Sequence, residues 1–255
     1  MGRKVRVDRS DSPDPEPRDE VADQTKPPRS HVTSLRDHHL RVAAAVSILR
    51  LYHALAPNRF KRFCGLSVFI PRGVFDPTVS VSTSLMISAL RTLQRVLPRG
   101  KAIDYGCGSG AIGIYIAKYM GFEEVHLLDV DTLALATARI NAFINGVLDK
   151  VRIVSSPLYN DYDLAVSNPP YLPLDPQIDI DRCWCGGSTL ETYRSIVRSC
   201  IKSLRRGGVL LISFSSLTYG APRVLKSLCA SYTIVRSART PFDTIYVAAC
   251  VKGST

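Results

Sequence analysis

A glycine-rich turn between a strand pattern and a helix pattern constrains this chain more than any other feature. It reads Asp104-Tyr105-Gly106-Cys107-Gly108-Ser109-Gly110. Lys101–Asp104 leads into it as a strand, and the apolar run Ala111–Met120 leaves it as a helix. The alternation then continues: strand Glu124–Asp129, helix Thr132–Ile144, strands Val151–Ser155 and Tyr162–Ser167, helix Thr189–Leu204, strand Val209–Phe214, helix Ala221–Ala230. Two alternating strands, Tyr232–Ser237 and Thr244–Val251, close it as a hairpin around Thr240-Pro241. Continuous apolar strands separated by helices are buried on both faces. The pattern therefore predicts an α/β fold, a doubly wound, mostly parallel seven-stranded sheet with a C-terminal antiparallel hairpin.

Upstream, Thr83–Leu97 reads as a helix ended by Pro98 and Gly100, and Phe63–Phe75 as strand and turn. From Leu35 to Ala56 apolar residues recur at three and four, which predicts an amphipathic helical extension stopped by Pro57. His38, His39 and His53 on or beside it read as surface or packing residues. Residues 1–30 are rich in proline and charge and poor in large apolar side chains, so they read as a disordered tail. The expected division is 1–30 tail, 31–73 helical extension and 74–255 main domain. No apolar stretch is long enough to span a bilayer, and no apolar h-region follows the basic start, which points to a cytoplasmic protein without a membrane partner. Seven cysteines without a Cys-x-x-Cys pair read as free thiols in a reducing compartment, with no metal site. The net charge is +11, of which residues 1–41 supply only +1. A basic folded part suits acidic partners such as RNA or a ribosome, and is equally the background of a basic soluble protein.

The turn is the first candidate site. Gly106, Gly108 and Gly110 let backbone press against a ligand, and the helix after them offers free N–H groups. About twenty residues on, the next strand ends at Asp129, where a carboxylate can accept both ribose hydroxyls of an adenosine. A dinucleotide needs room for a pyrophosphate. This turn is short and opens with Asp104, whose carboxylate can hold the turn's amides or face a cofactor amino group. The combination favours S-adenosyl-L-methionine.

The second candidate site is Asn168-Pro169-Pro170-Tyr171, at the carboxyl end of a later strand, where sheets of this class bind ligands. The Asn168 side-chain oxygen can accept one substrate N–H and the Pro169 carbonyl a second. Consecutive prolines preset those acceptors. Tyr171 can stack on a planar group. Such a corner orients a nitrogen lone pair without a charged base. Asn168, Pro169 and Tyr171 are the catalytic candidates; Asp104, Gly106, Gly108, Gly110, Asp129 and Asn168 are the cofactor candidates.

With these pieces on the page, the segment Val74–Val251 resembles the class I methyltransferases, and within them the HemK-type glutamine-N5 methyltransferases of the short archaeal and eukaryotic branch. The matching motifs are Val74-Phe75-Asp76-Pro77, Asp104–Gly110, Asp129-Val130-Asp131, Ala138-Arg139-Ile140-Asn141, Ser167–Tyr171 and Gly186-Gly187. The resemblance implies a peptide release factor as protein substrate and a small zinc-binding activator subunit, for which the apolar strand Val151–Val154 would stand free at the sheet edge. There are departures. Ser155-Ser156-Pro157-Leu158 stands where the family has an acidic residue near the adenine. Ser80, Ser82, Thr83 and Ser84 replace an acidic residue after Pro77, and Thr189-Leu190 replaces an Asp-Gly. The Asn-Pro-Pro-Tyr motif also serves enzymes that methylate adenine N6 or guanine N2, so an RNA or DNA base is the alternative substrate. Against it, the chain has no separate RNA-binding domain and no aromatic-basic stacking segment.

Overall fold

Strands with no polar face need cover on both sides, and the chain supplies it with two helical layers. The structure is a computed structural model that describes residues 35–253. The tail expected over residues 1–30 lies outside the described residues. In chain order the elements are α1 (Leu35–Leu55), β1 (Arg59–Phe63), β2 (Leu66–Ile70), α2 (Val81–Leu93), β3 (Lys101–Tyr105), α3 (Ala111–Tyr119), β4 (Glu124–Leu128), α4 (Thr132–Ile144), β5 (Val151–Val154), β6 (Tyr162–Ser167), α5 (Glu191–Ser203), β7 (Leu204–Ser215), α6 (Ala221–Leu228), β8 (Ser231–Arg239) and β9 (Thr244–Val251). Seven strands form one sheet in the order β5-β4-β3-β6-β7-β9-β8. The first five are mutually parallel, and β9 runs antiparallel between β7 and β8. The fold class expected from the sequence is the one observed.

The two central strands carry the apolar load. All six residues of β6 are buried. One face packs against α2, α3 and α4 through residues such as Ile87, Leu90 and Ile114, and the β1–β2 hairpin lies on α3 and α4. The other packs against α5 and α6 through Tyr193, Val197, Val224 and Leu225. The order reverses direction between β3 and β6, so the chain leaves the two strands toward opposite layers and opens a crevice at their carboxyl ends.

Three local differences from the sequence reading have physical causes. The strand and turn expected over Phe63–Phe75 is a hairpin that already begins at Arg59. Its two-residue turn is Cys64-Gly65, both with positive φ (50° and 83°), the geometry that suits a right-twisted hairpin. α2 starts two residues before Thr83, because the Ser80 hydroxyl caps it by accepting the Thr83 N–H at 3.2 Å. Cys229 and Cys250 form a disulfide, with Cα atoms 5.9 Å apart, which corrects the reading of all seven cysteines as free thiols. The end of α6 and strand β9 meet in the same apolar layer, so residues 21 apart in sequence face each other. The other five are free: Cys64 is exposed, Cys183 half-buried, and Cys107, Cys185 and Cys200 buried.

α1 is tied to the rim of the crevice. Val42 and Val46 pack on Leu172, Trp184 and Leu217. Arg50 clamps the buried Asp181 through both guanidinium edges, with Nε at 2.9 Å. Arg50 also draws the Asp181 carboxyl down to about 2, helped by the Gln177 and Ile178 N–H groups. His53 is buried and stacked on Phe75, with ring centroids 5.3 Å apart, which makes it a packing residue. Beneath α1, the fully buried Asp76 accepts from Tyr52 at 2.6 Å, Arg59 at 2.7 Å and Lys61 at 3.1 Å. Its second oxygen takes the Thr78 N–H and hydroxyl. Among the described residues, no helix is long and apolar enough to cross a membrane.

Candidate active site

The crevice is a cavity of about 1670 Å³. Small-molecule sites are usually roughly 300–1,000 Å³. This one therefore has room for a cofactor and a second group together. The glycine turn forms one wall. Gly106 and Cys107 donate N–H bonds to the Leu128 carbonyl, at 2.8 and 3.0 Å, which hangs the turn from the end of β4. Gly106 and Gly108 hold φ of +69° and +53°, and a Cβ at either would point into open space. The chain leaves a backbone-lined cradle there, the shape a nucleoside cofactor requires. Asp129, half-buried, braces the cradle: Oδ2 accepts the Gly108 N–H at 2.8 Å and Oδ1 the Asp131 N–H at 3.0 Å. Each oxygen keeps further accepting capacity, and Asp129 lines the cavity.

Asp104 and Gly110 lie behind this wall rather than in it. Neither lines the cavity. The Asp104 carboxylate is fully buried and accepts the Gly113 N–H at 2.8 Å, which fixes α3 to β3. Its other oxygen has no partner. Burial pushes this carboxyl up to about 7; the charge of Asp129 adds to the rise, and the Gly113 N–H opposes it. A folded value above the ordinary 3.8 means that the folded chain holds the proton longer than the unfolded chain. The associated stability is complete below about pH 4 and is lost as pH rises through 7. Asp104→Asn is expected to flatten the decline in melting temperature between these two pH values. An unchanged slope would show that another group titrates there.

Beside the turn, at the end of the neighbouring strand β6, stands the Asn168 corner. The Asn168 amide is held from both sides. Its Nδ2 donates to the Thr83 hydroxyl at 3.2 Å, and its Oδ1 accepts from the Ser213 hydroxyl at 2.6 Å. The oxygen keeps a second lone pair. Tyr171 also lines the cavity. Burial, partly offset by a hydrogen bond with Ser82, pushes its phenol up to about 12, so it stays neutral and can donate. The Thr218 hydroxyl ties down the Tyr171 carbonyl at 2.8 Å. Gly186 is required behind the corner, because a Cβ there would sit 2.5 Å from the Pro170 carbonyl oxygen.

The structure thus brings Gly106, Gly108, Asp129, Asn168, Pro169 and Tyr171 to one cavity. Sequence reasoning missed Ser213 and the part played by Thr83. The signal for Ser213 was present: a lone hydroxyl inside the apolar run Val209–Phe214 has to find a buried partner. It also missed the contribution of α1, whose Ala45, Ile48 and Leu49 line the cavity, and the charge of the rim. Among the described residues, six carboxylates (Asp129, Asp131, Asp175, Asp179, Glu191 and Asp243) line it against one cation, Arg182, in a chain whose net charge is +11. Ser155 stands at the wall beyond β5, where an acidic residue was expected and is lacking.

A cradle and an amide corner at neighbouring strand ends can also be placed among known proteins. The methyltransferase small domain family matches residues 66–240. The chain belongs to this family. A release factor glutamine methyltransferase of Prochlorococcus marinus is 28% identical over 163 residues, covering 57% of this chain and 54% of that protein. A ribosomal RNA small subunit methyltransferase C of Pasteurella multocida is 32% identical over 115 residues, covering 43% of this chain and 33% of that protein. The family's fold appears in the T. thermophilus 16S rRNA N2 methyltransferase in complex with AdoMet and guanosine, with a TM-score of 0.60 and 20% identity. That match covers 76% of this chain and 50% of the other. The chain spans about half the length of the curated relatives it matches.

Proposed function

We propose that the chain uses S-adenosyl-L-methionine to methylate the side-chain amide nitrogen of a glutamine in a peptide release factor. The observation that carries this reading is the meeting of two motifs at neighbouring strand ends in one cavity: a glycine cradle braced by Asp129, and the Asn168 amide pinned by Thr83 and Ser213. The cofactor, when bound, supplies an electrophilic methyl group on a sulfonium. Gly106 and Gly108 admit its nucleoside, and Asp129 accepts its ribose hydroxyls. The free lone pair of Asn168 Oδ1 and the Pro169 carbonyl accept the two N–H groups of the acceptor amide, which turns the nitrogen toward the methyl group. Tyr171 packs against the planar amide. The carboxylates of the rim suit the cationic cofactor.

The rim also favours a protein amide over a nucleic-acid base. A base drawn out of its strand brings flanking phosphates to the mouth. There they would meet carboxylates, at about 1 kcal/mol of repulsion for each pair at 4 Å in water. Labelled cofactor offered with purified release factor, with ribosomes and with bare RNA tests the reading. Label in RNA alone would replace it with the base-methylating alternative.

Asp129→Ala is expected to weaken S-adenosyl-L-methionine binding by about tenfold or more, because hydrogen bonds to a charged group are worth about 1.5–3 kcal/mol. Titration calorimetry showing undiminished affinity would remove Asp129 from the site. The resemblance to the short branch adds a small zinc-binding activator. β5 stands at one edge of the sheet, and α4, packed on it, exposes Phe143 at 72%. An unpaired strand beside exposed apolar surface can accept a partner's strand. Co-expression with such a subunit is expected to raise solubility and activity; a soluble, fully active lone chain would count against it.

A further inference from the structure

A second, shallower groove of about 350 Å³ runs between α5 and α6 on the outer helical layer. Arg194 and Arg198, one turn apart on α5, face Arg223 on α6 across it. All three are exposed, and among the described residues no carboxylate lines the groove. Among the described residues none of the three has an ion-pair partner. Like charges one helical turn apart repel, so the fold keeps an unneutralised cluster of guanidiniums without structural return. Guanidiniums bind planar anions through paired N–H groups.

The groove begins where the cavity ends. Thr189 and Leu190 line the groove, while Gly187, Glu191 and Thr192 line the cavity. A single turn of chain separates a basic groove from an acidic mouth. A nucleic-acid strand carries one sign of charge throughout and would be attracted to the first and repelled by the second. A folded protein can present an acidic segment next to a neutral or basic loop and satisfy both.

We propose that the α5–α6 groove docks an acidic segment of the protein substrate and so delivers the neighbouring glutamine to the cavity. This rests on the protein-methylating reading given above. The groove sets affinity and encounter rate, and the cavity does the chemistry.

The test replaces Arg194, Arg198 and Arg223 with glutamine, together and as Arg198→Gln alone, with melting temperature as the check on folding. With purified release factor at low salt, KM is expected to rise about tenfold in the triple variant, while kcat and S-adenosyl-L-methionine affinity hold. The difference should shrink as salt screens the exposed charges. An unchanged KM in a folded triple variant overturns the proposal. In parallel, fluorescence anisotropy compares labelled oligoglutamate with oligouridylate of equal charge. Loss of oligoglutamate binding in the variants supports the proposal; binding of oligouridylate alone overturns it in favour of an RNA-backbone groove. If the wild-type chain leaves release factor unmethylated, the proposed function fails by itself, and the anisotropy arm still decides what the groove binds.

Discussion

Asn168→Ala is expected to cut turnover by about a hundredfold to a thousandfold while leaving cofactor affinity near that of the unaltered chain. That range is typical for losing one hydrogen-bonding group aimed at the reacting atoms. The asymmetry follows from position. Asn168 stands at the end of the strand beside the one that leads into the glycine cradle, yet its amide is pinned by Thr83 and Ser213 rather than by residues of the cradle. Its removal leaves Gly106, Gly108 and Asp129 untouched. Single-turnover kinetics beside a cofactor titration separate the two effects. Full activity in the variant would rule out the corner as the place where the acceptor nitrogen is held. Ser213→Ala is expected to lower turnover less, because Thr83 still fixes the amide plane.

Asp76→Ala is expected to destabilise the fold by about 3–5 kcal/mol, the scale for breaking a buried ion pair from one side. The variant leaves Arg59, only 14% exposed, without its carboxylate and strips Tyr52 and Thr78 of their acceptor. Lys61 is 34% exposed and can turn to water, which places the loss toward the lower end. A domain of this kind is stable by about 5–15 kcal/mol, so the change consumes much of the margin. Burial alone would raise the Asp76 carboxyl, but the bonds from Tyr52, Thr78 and Arg59 outweigh it and hold the group well below the ordinary 3.8. A depressed folded value contributes stability above 3.8 that is lost as pH falls. The gap between the unaltered chain and Asp76→Ala should therefore narrow in acid. Urea unfolding at neutral pH with a midpoint equal to the unaltered chain would show that the network is energetically idle.

The middle of the sheet was legible because its strands have no wet face. Glu124–Asp129 and Tyr162–Ser167 read as strands from their apolar runs alone, and they form β4 and β6, on either side of β3. The hairpin start at Arg59 was hidden because basic residues fall on both faces of β1, Arg59 and Lys61 on one and Arg62 on the other, and its turn opens with Cys64, a residue that seldom signals positive φ. The two candidate motifs were legible as motifs, yet spacing could not say which residues reach the cavity. Asp104 looks like a cofactor ligand in sequence and stands in the core, bonded to Gly113, because strand alternation turns it to the face of Ala102, under α3. The partners of Asn168 come from α2 and β7, and only the folded sheet brings residues 83, 168 and 213 together. The pairing of Cys229 with Cys250 was hidden for the same reason.

The unit of shared ancestry and the working unit have different edges in this molecule. The family match begins at residue 66, but Ala45, Ile48 and Leu49 form part of the cavity wall, and Arg59 and Lys61 neutralise Asp76, which lies inside the match. A fragment cut to residues 66–240 would open the cavity on one side and strip Asp76 of both its cover and its cations. It would also drop β9, which stands between β7 and β8. Inheritance of the reaction by recombination would therefore require the flanks to travel with the core, and a graft of the matched segment alone would carry the motifs without the enclosure that makes them useful.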